Sequence, residues 1–324
     1  METVKLIGLF LVGLVLIVKG ADWLTDGASS IARRFRISSL VIGLTIVALG
    51  TSMPEMVVSV ISAIEGKTDM AIGNVVGSNI FNTLAIMGVT ALICPVVCTK
   101  QNLHVDIPIS VWVALLLIAL ALIGNGLQWY DGLILLVGCV CFILYSIYLA
   151  KKGRKEAAES EEAPTAEMPL WKAIGMFVVG IAGLVFGGDW MVDGASGIAS
   201  MLGVSDAIIA VTIVAAGTSF PELMTSVVAA RKGDTDMAMG NVVGSNIMNI
   251  LLILGVASSI APLPMGQIGI VDLIIVAGSS MLLLLFCVWN SRHRENEKDS
   301  LVASEGVVLL LCAVAYYVWK AMLS

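Results

Sequence analysis

Apolar residues run in ten stretches separated by short polar breaks: 3–20, 37–64, 70–93, 106–124, 131–150, 170–187, 204–230, 237–261, 270–289 and 302–321. A helix needs about 20 apolar residues to cross a bilayer, so the pattern predicts ten transmembrane helices. Five precede the polar stretch at 151–169 and five follow it. The second and seventh stretches are too long for straight spans. The run 37–64 would reach about 42 Å at about 1.5 Å per residue, against a hydrocarbon core of about 30 Å. Each holds a proline, Pro54 or Pro221, which lacks an N–H and pushes its ring at the carbonyl four residues back. Broken second and seventh helices are therefore predicted.

Composition agrees with this all-α polytopic membrane class. The 324 residues are 58% hydrophobic and 13% charged, with a mean hydropathy of +0.99; no soluble domain of this size has that balance. The net charge of −6 says little about partners, because the acidic residues sit mostly in connecting loops. Cys94, Cys98, Cys139, Cys141, Cys287 and Cys312 show no disulfide-framework spacing and are read as packing residues. Cys94 and Cys98 lack the nearby histidine that a metal site would want. The first stretch, following METVK, has no small-residue cleavage site behind it and is read as a retained span.

The strongest signal is a repeat. Residues 50–82, GTSMPEMVVSVISAIEGKTDMAIGNVVGSNIFN, return at 217–249 as GTSFPELMTSVVAARKGDTDMAMGNVVGSNIMN, at a constant offset (217 − 50 = 167). The same offset carries Asp22–Trp23 onto Asp189–Trp190 and Gly88–Val89 onto Gly255–Val256. Five helices per copy is an odd number, so the second copy enters the membrane inverted. The predicted plan is a first five-helix repeat over 1–150, a cytoplasmic linker over 151–169 and an inverted five-helix repeat over 170–324. Such inverted repeats build transporters with the site near the midplane.

Charge placement sets the orientation. With the N-terminus outside, one face collects Lys19, Arg33, Arg34, Arg36, Lys100, Lys151, Lys152, Arg154, Lys155, Lys172, Arg231, Lys232, Arg292, Arg294 and Lys298. The other keeps Lys5, Lys67 and Lys320. The positive-inside rule then places the loops 31–36, 151–169 and 290–300 in the cytoplasm and both termini outside, across the cell membrane.

Each repeat sets a carboxylate, Glu55 or Glu222, in the middle of a long apolar stretch that has no Lys or Arg. An ionisable residue deep in a bilayer is costly, and is read first as functional. Thr51 and Ser52 lie four and three residues before Glu55, as Thr218 and Ser219 do before Glu222, and such spacings share a helix face. In the following helices Ser78 and Asn82, and Ser245 and Asn249, are also four apart. Four polar patches thus meet around one point, an oxygen-rich cage for a hard cation. A kinked helix capped by Ser and Thr explains those residues singly, but not a repeated buried glutamate. Gly73/Gly77 and Gly240/Gly244 allow close helix approach. Thr68–Asp69, Thr235–Asp236, Asp26, Asp193, Asp106 and Asp272 are read as helix N-caps. His104 and His293 are read as solvated loop residues, and the methionines as apolar filler.

GTSMPE with GNVVGSNIFN, and GTSFPE with GNVVGSNIMN, resemble the two α-repeats of the calcium/cation antiporter superfamily. The whole chain, including DWLTDGASSIARRFRISSLVIGLTIVALGTSMPE, is similar to the compact prokaryotic sodium/calcium exchangers. The resemblance implies that Glu55 and Glu222 bind Ca²⁺. It implies further that Thr51, Ser52, Ser78, Thr218, Ser219 and Ser245, with the backbone carbonyls of Ala48 and Ala215, complete Ca²⁺ and Na⁺ sites. Asn82 matches the family's first-repeat asparagine. Asn249 departs from members that carry an aspartate there, which leaves the number and identity of the monovalent ions open.

The function expected is Ca²⁺ antiport against Na⁺ by alternating access, with H⁺ in place of Na⁺ as the alternative. A cation channel would want a continuous pore, usually built from several subunits. An intramembrane hydrolase would need a nucleophile with a base, or paired aspartates, and the deep stretches hold neither. No enzyme activity, cofactor, nucleic acid or obligatory protein partner is implied. The substrates are the ions and the surroundings are lipid.

Overall fold

The first apolar stretch forms a helix longer than its hydrophobic part. In the computed structural model, which describes residues 2–159, 168–202, 217–266, 268–293 and 300–323, α1 spans Glu2–Phe35. The predicted run ended at 20, but nothing between Asp22 and Arg34 breaks a helix, so it continues as its polar positions leave the membrane. The repeat counterpart, which becomes α7 (Leu170–Met201), likewise runs past 187. Asp26 and Asp193 therefore lie inside helices rather than capping them, and the predicted loop 31–36 shrinks to Arg36–Ser38.

These two helices pack antiparallel with backbones in contact. Gly13, Gly20 and Gly27 of α1 recur at a spacing of seven and face α7. A β-carbon on Gly20 would sit 2.8 Å from the Gly180 carbonyl oxygen, and one on Gly187 would sit 2.8 Å from the Ile17 nitrogen. Ile17, Ala21, Leu24, Ala28, Leu184 and Met191 belong to a second buried cluster that also takes in Ile42, Val47, Val228 and Met237. The large core lies among the other helices.

The predicted break in the second helix is present. Segments α2 (Ser39–Thr51) and α3 (Met53–Ile64) meet at a 49° bend on Ser52, whose φ is −84° and ψ 12°. Pro54 stands in the first turn of α3, where a missing N–H leaves no helical bond unmade. Ser219 of the second copy has the same backbone, with φ −93° and ψ 6°, ahead of α8 (Phe220–Arg231). Residues 203–216, including Ala215, lie outside the described residues.

The adjoining spans are α4 (Thr68–Ile93), α5 (Asn102–Gly124) and α9 (Thr235–Ile260). They are joined by α6 (Trp129–Glu159), α10 (Ile270–His293) and α11 (Ala303–Leu323). Among the described residues, eight helices are long and apolar enough to cross a membrane, or nine with the bent pair counted as one span. Helix α6 continues to Glu159, so the first part of the predicted linker is helical. Lipid-facing aromatics such as Trp129, Trp171 and Trp289 are exposed near helix ends, as interfacial aromatics are.

Several capping expectations move. The N-cap position of α4 falls on Lys67, whose side chain makes no cap bond, and Thr68 and Asp69 lie inside the first turn. In the second copy Asp234, not Thr235 or Asp236, caps α9 by accepting from the Met237 N–H at 3.1 Å. Gly66 and Gly233, with φ of 74° and 83°, turn the chain just before these starts and decide where they fall. Asp272 does cap, accepting from the Gly269 N–H at 2.9 Å. Asp106 makes no cap bond, because a π turn (Asn102–Asp106) carries the helix upstream of it; this also puts the exposed His104 on a helix. Gly240 and Gly244 fit as expected, their β-positions lying 2.6 and 2.5 Å from the Leu40 and Leu44 carbonyl oxygens of α2. The partners that the same offset assigns to Gly73 and Gly77 are residues 207–211, outside the described residues.

Among the described residues, four two-residue strands depart from the all-α expectation. β1 (Val96–Val97) pairs antiparallel with β4 (Ser300–Leu301), and β2 (Gly126–Leu127) with β3 (Leu263–Pro264). Cys98 and Cys287 are disulfide-bonded, so the reading of all six cysteines as packing residues is corrected for this pair. They are 189 positions apart in sequence, and only the tertiary fold brings them together.

Candidate functional site

Glu55 and Glu222 stand in the first turns of α3 and α8, both fully buried. Each carboxylate is held by a serine from the other repeat. Ser52 Oγ donates to Glu222 Oε1 at 2.8 Å, and Ser219 Oγ donates to Glu55 Oε1 at 3.1 Å. The serines at the bends thus cross-link the halves, as the offset of 167 makes them do reciprocally. Ser78 Oγ donates to Glu55 Oε1 at 3.4 Å and lies 3.2 Å from Ser219 Oγ. Thr51 Oγ1 donates to Asn241 Oδ1 at 3.0 Å and lies 3.3 Å from the Ala48 carbonyl oxygen. That carbonyl also accepts from the Ser52 N–H at 3.0 Å.

Asn82 and Asn249 sit in matching π turns, Phe81–Ile86 and Asn249–Leu254, and π turns often mark functional sites. Their amide nitrogens are tethered across the repeats, Asn82 Nδ2 to Asn246 Oδ1 at 3.2 Å and Asn249 Nδ2 to Asn79 Oδ1 at 3.0 Å. Their Oδ1 atoms are left buried and unpartnered. So are Glu55 Oε2, Glu222 Oε2, Thr218 Oγ1 and Ser245 Oγ. Every one of these bare atoms is an oxygen. A buried oxygen without a donor is costly, and a hard cation is what such a set would accept. Among the described residues no three His, Cys, Asp or Glu side chains gather as a metal-binding group. Any ion here would rest on two carboxylates and neutral oxygens.

Sequence reasoning missed a layer of asparagines behind the glutamates. Asn74 Nδ2 bonds the Glu55 carbonyl oxygen at 3.1 Å and Ser59 Oγ at 2.9 Å. Asn241 Nδ2 does the same to the Glu222 carbonyl oxygen at 3.2 Å and Ser226 Oγ at 2.9 Å. Asn79 Nδ2 donates to the Asn246 carbonyl oxygen at 3.1 Å, and Asn246 Nδ2 to Thr83 Oγ1 at 2.7 Å. The signal was available, since these asparagines recur at the same offset inside the quoted GNVVGSNI motif.

The surroundings of the site are not symmetric. On one side a cavity of about 700 Å³ is lined by Pro54, Val58, Asp189, Asp193, Thr218 and Pro221. The counterparts of its two aspartates, Asp22 and Asp26, instead clasp Lys232, whose Nζ lies 3.2 Å and 2.8 Å from their carboxylates. One approach to the glutamates is roomy and acidic, while the equivalent acidic pair on the other copy is engaged by an ammonium.

The chain matches the family model described as sodium/calcium exchanger protein over residues 5–148 and 172–322. CaxA of Alkalimonas amylolytica, whose name marks it as a candidate antiporter, is 39% identical over 94% of this chain and 95% of its own length. The sodium/calcium exchanger MaX1 of Methanosarcina acetivorans is 32% identical over 96% of this chain and 97% of its own. The solved structure of the sodium-calcium exchanger NCX_Mj soaked with zero Na⁺ and Ca²⁺ superposes with a TM-score of 0.82 at 32% identity. It covers 99% of this chain and 100% of that one.

Proposed function

Since the chain belongs to the sodium/calcium exchanger family, a family of membrane transporters rather than enzymes, we propose that it exchanges Ca²⁺ for Na⁺ by alternating access. The proposed frame is ten spans in two inverted halves, 1–150 and 170–324, joined by the linker 151–169 on the cytoplasmic side, with both termini outside the cell membrane. The observation that carries the reading is the set of bare buried oxygens on Glu55, Glu222, Thr218, Ser245, Asn82 and Asn249.

Two carboxylates offset the charge of one Ca²⁺. Ser52 and Ser219 keep each carboxylate aimed inward by donating to one of its oxygens, while their own lone pairs remain available. Thr51, Ser78, Thr218, Ser245, Asn82 and Asn249, with the carbonyls of Ala48 and Ala215, supply the neutral oxygens. When Ca²⁺ leaves, two like charges in a low-dielectric site repel, so a cation or a proton must replace it. Neutral hydroxyl and amide oxygens serve a small monovalent ion and are superfluous for a proton, which favours Na⁺. The unpartnered second oxygen of each glutamate is the feature that suits H⁺, since a protonated carboxyl needs no ion there.

Uptake of radioactive Ca²⁺ into proteoliposomes separates these readings. Vesicles loaded with Na⁺ are expected to accumulate Ca²⁺, and vesicles loaded with K⁺ or with acid alone are not. Ser78→Ala and Ser245→Ala should weaken the Na⁺ dependence. Uptake driven by an acid interior without Na⁺, unchanged in both serine variants, overturns the sodium assignment and establishes the proton one. Uptake that needs no counter-ion at all would mean a channel.

A further inference from the structure

A second buried carboxylate lies away from the central glutamates, and its repeat counterpart shows what it lacks. Asp106 of α5 corresponds to Asp272 of α10 (272 − 106 = 166), in step with Gln101 and Gln267. On the helices that follow, Tyr145 corresponds to Tyr316 (316 − 145 = 171), as Cys141 does to Cys312. The same step carries Leu149 onto Lys320.

Asp272 is saturated. It accepts from Lys320 Nζ at 2.7 Å, from the Tyr316 hydroxyl at 3.0 Å and from the Gly269 N–H at 2.9 Å. Asp106 is equally buried, at 0% exposed, but keeps none of those partners: the hydroxyl of Tyr145, the counterpart of Tyr316, bonds Gln101 instead. Lysine is replaced by Leu149, and the N–H of Leu103, the counterpart of Gly269, is spent on the Thr99 carbonyl at 3.0 Å. What remains is Gln101 Nε2, 3.2 Å from Asp106 Oδ1, which also donates to the Tyr145 hydroxyl at 3.2 Å. Asp106 Oδ2 has no partner, nor has either amide atom of Asn102, one turn earlier and also 0% exposed. No ion pair to Asp106 is found among the described residues.

We propose that Asp106, with Asn102, Gln101 and Tyr145, binds one monovalent cation of the sodium class at a site separate from Glu55 and Glu222. The ion takes the place that the Lys320 ammonium holds beside Asp272. A single carboxylate balances a single positive charge, the Asn102 amide oxygen and the Tyr145 phenol oxygen are the hard neutral donors that Na⁺ accepts, and Gln101 fixes the carboxylate and the phenol by donating to both; a divalent ion would be left half neutralised. Access is short, because Gln101 is partly exposed and His104 on the same turn is exposed.

The test is Na⁺ binding to the purified full-length protein with the central site silenced by Glu55→Gln and Glu222→Gln. Radioactive Na⁺ at constant ionic strength is expected to show one saturable site per chain in that background. Asp106→Asn should weaken it about tenfold or more. Leu149→Lys, which rebuilds the ammonium–carboxylate pair of the other repeat, should abolish it while the melting temperature holds or rises and loses its response to Na⁺. In the chain with Glu55 and Glu222 intact, either variant should lower the total number of bound Na⁺ by one, which covers the case of a silenced chain that does not fold. No residual Na⁺ site, or a residual site indifferent to both variants, overturns the proposal. Because the readout is binding rather than flux, a finding that transport is coupled to H⁺ leaves this proposal standing or falling by itself.

Discussion

Glu55 and Glu222 each keep one oxygen on a serine of the opposite repeat and one oxygen bare. That division sets them apart from Asp272, whose two oxygens are both engaged. Glu55→Gln or Glu222→Gln removes one of the two charges facing a divalent ion in a dry site. Ca²⁺ uptake by proteoliposomes is expected to fall about a hundredfold or more in each, since a buried charge without its counter-charge costs several kcal/mol. Asn241 makes a complementary case. It accepts from Thr51 and donates to the Glu222 carbonyl and Ser226, so Asn241→Ala removes three buried hydrogen bonds at once. With interhelical bonds in membranes averaging about 0.6 kcal/mol and orphaned groups adding to that, a loss of about 2–3 kcal/mol is expected in reversible unfolding.

At the scale of helices, the tight seam is that of α1 with α7. Its glycines are spaced by seven on both helices, and each stands where a side chain would strike backbone, which cannot move aside as a flexible side chain can. Gly20→Val is expected to destabilise the protein by about 1–3 kcal/mol through forced separation of the pair. Gly8→Ala, on the same helix with open space around its β-position, should be close to neutral or slightly stabilising because alanine is the better helix former. Thermal unfolding of the two variants side by side checks this; equal effects would mean that the seam tolerates expansion.

Over the whole molecule, the charge asymmetry and the strand pairing bear on the same question. The loops joined by β1 and β4, after α4 and before α11, both fall on the face that the lysines and arginines mark as cytoplasmic. Those joined by β2 and β3 both fall on the other face. Short strands cannot pair through a bilayer, so this agreement is a physical constraint on any topology. A cysteine at Lys155 and one at Lys67 are expected to react with impermeant reagents from opposite sides of the membrane. Reaction of both from the same side would overturn the inverted arrangement.

Periodicity, composition and a self-repeat need only local physics to be read, and here they carried far. Apolar length specified eight spans, or nine with the bent pair, among the described residues, Pro54 specified the bend at Ser52, and the constant offset singled out both glutamates and their hydroxyl neighbours. Helix ends were less legible: α1 and α7 run on because a helix leaving the membrane needs no apolar residues, and α9 starts at Asp234 because the left-handed Gly233 turns the chain there. The asparagine layer was visible as a repeat, yet its purpose was not, since Asn241 and Glu222 meet only when two helices pack. The same holds for Cys98 with Cys287 and for Lys320 with Asp272. Such partners are distant in sequence, and no spacing rule links them. Residue types and their order thus determined the membrane class, the repeat and the pair of glutamates buried within it. Which oxygens were left bare, and which carboxylate found a lysine, was decided by the packing of helices, because hydrogen-bond satisfaction is a property of three-dimensional neighbours.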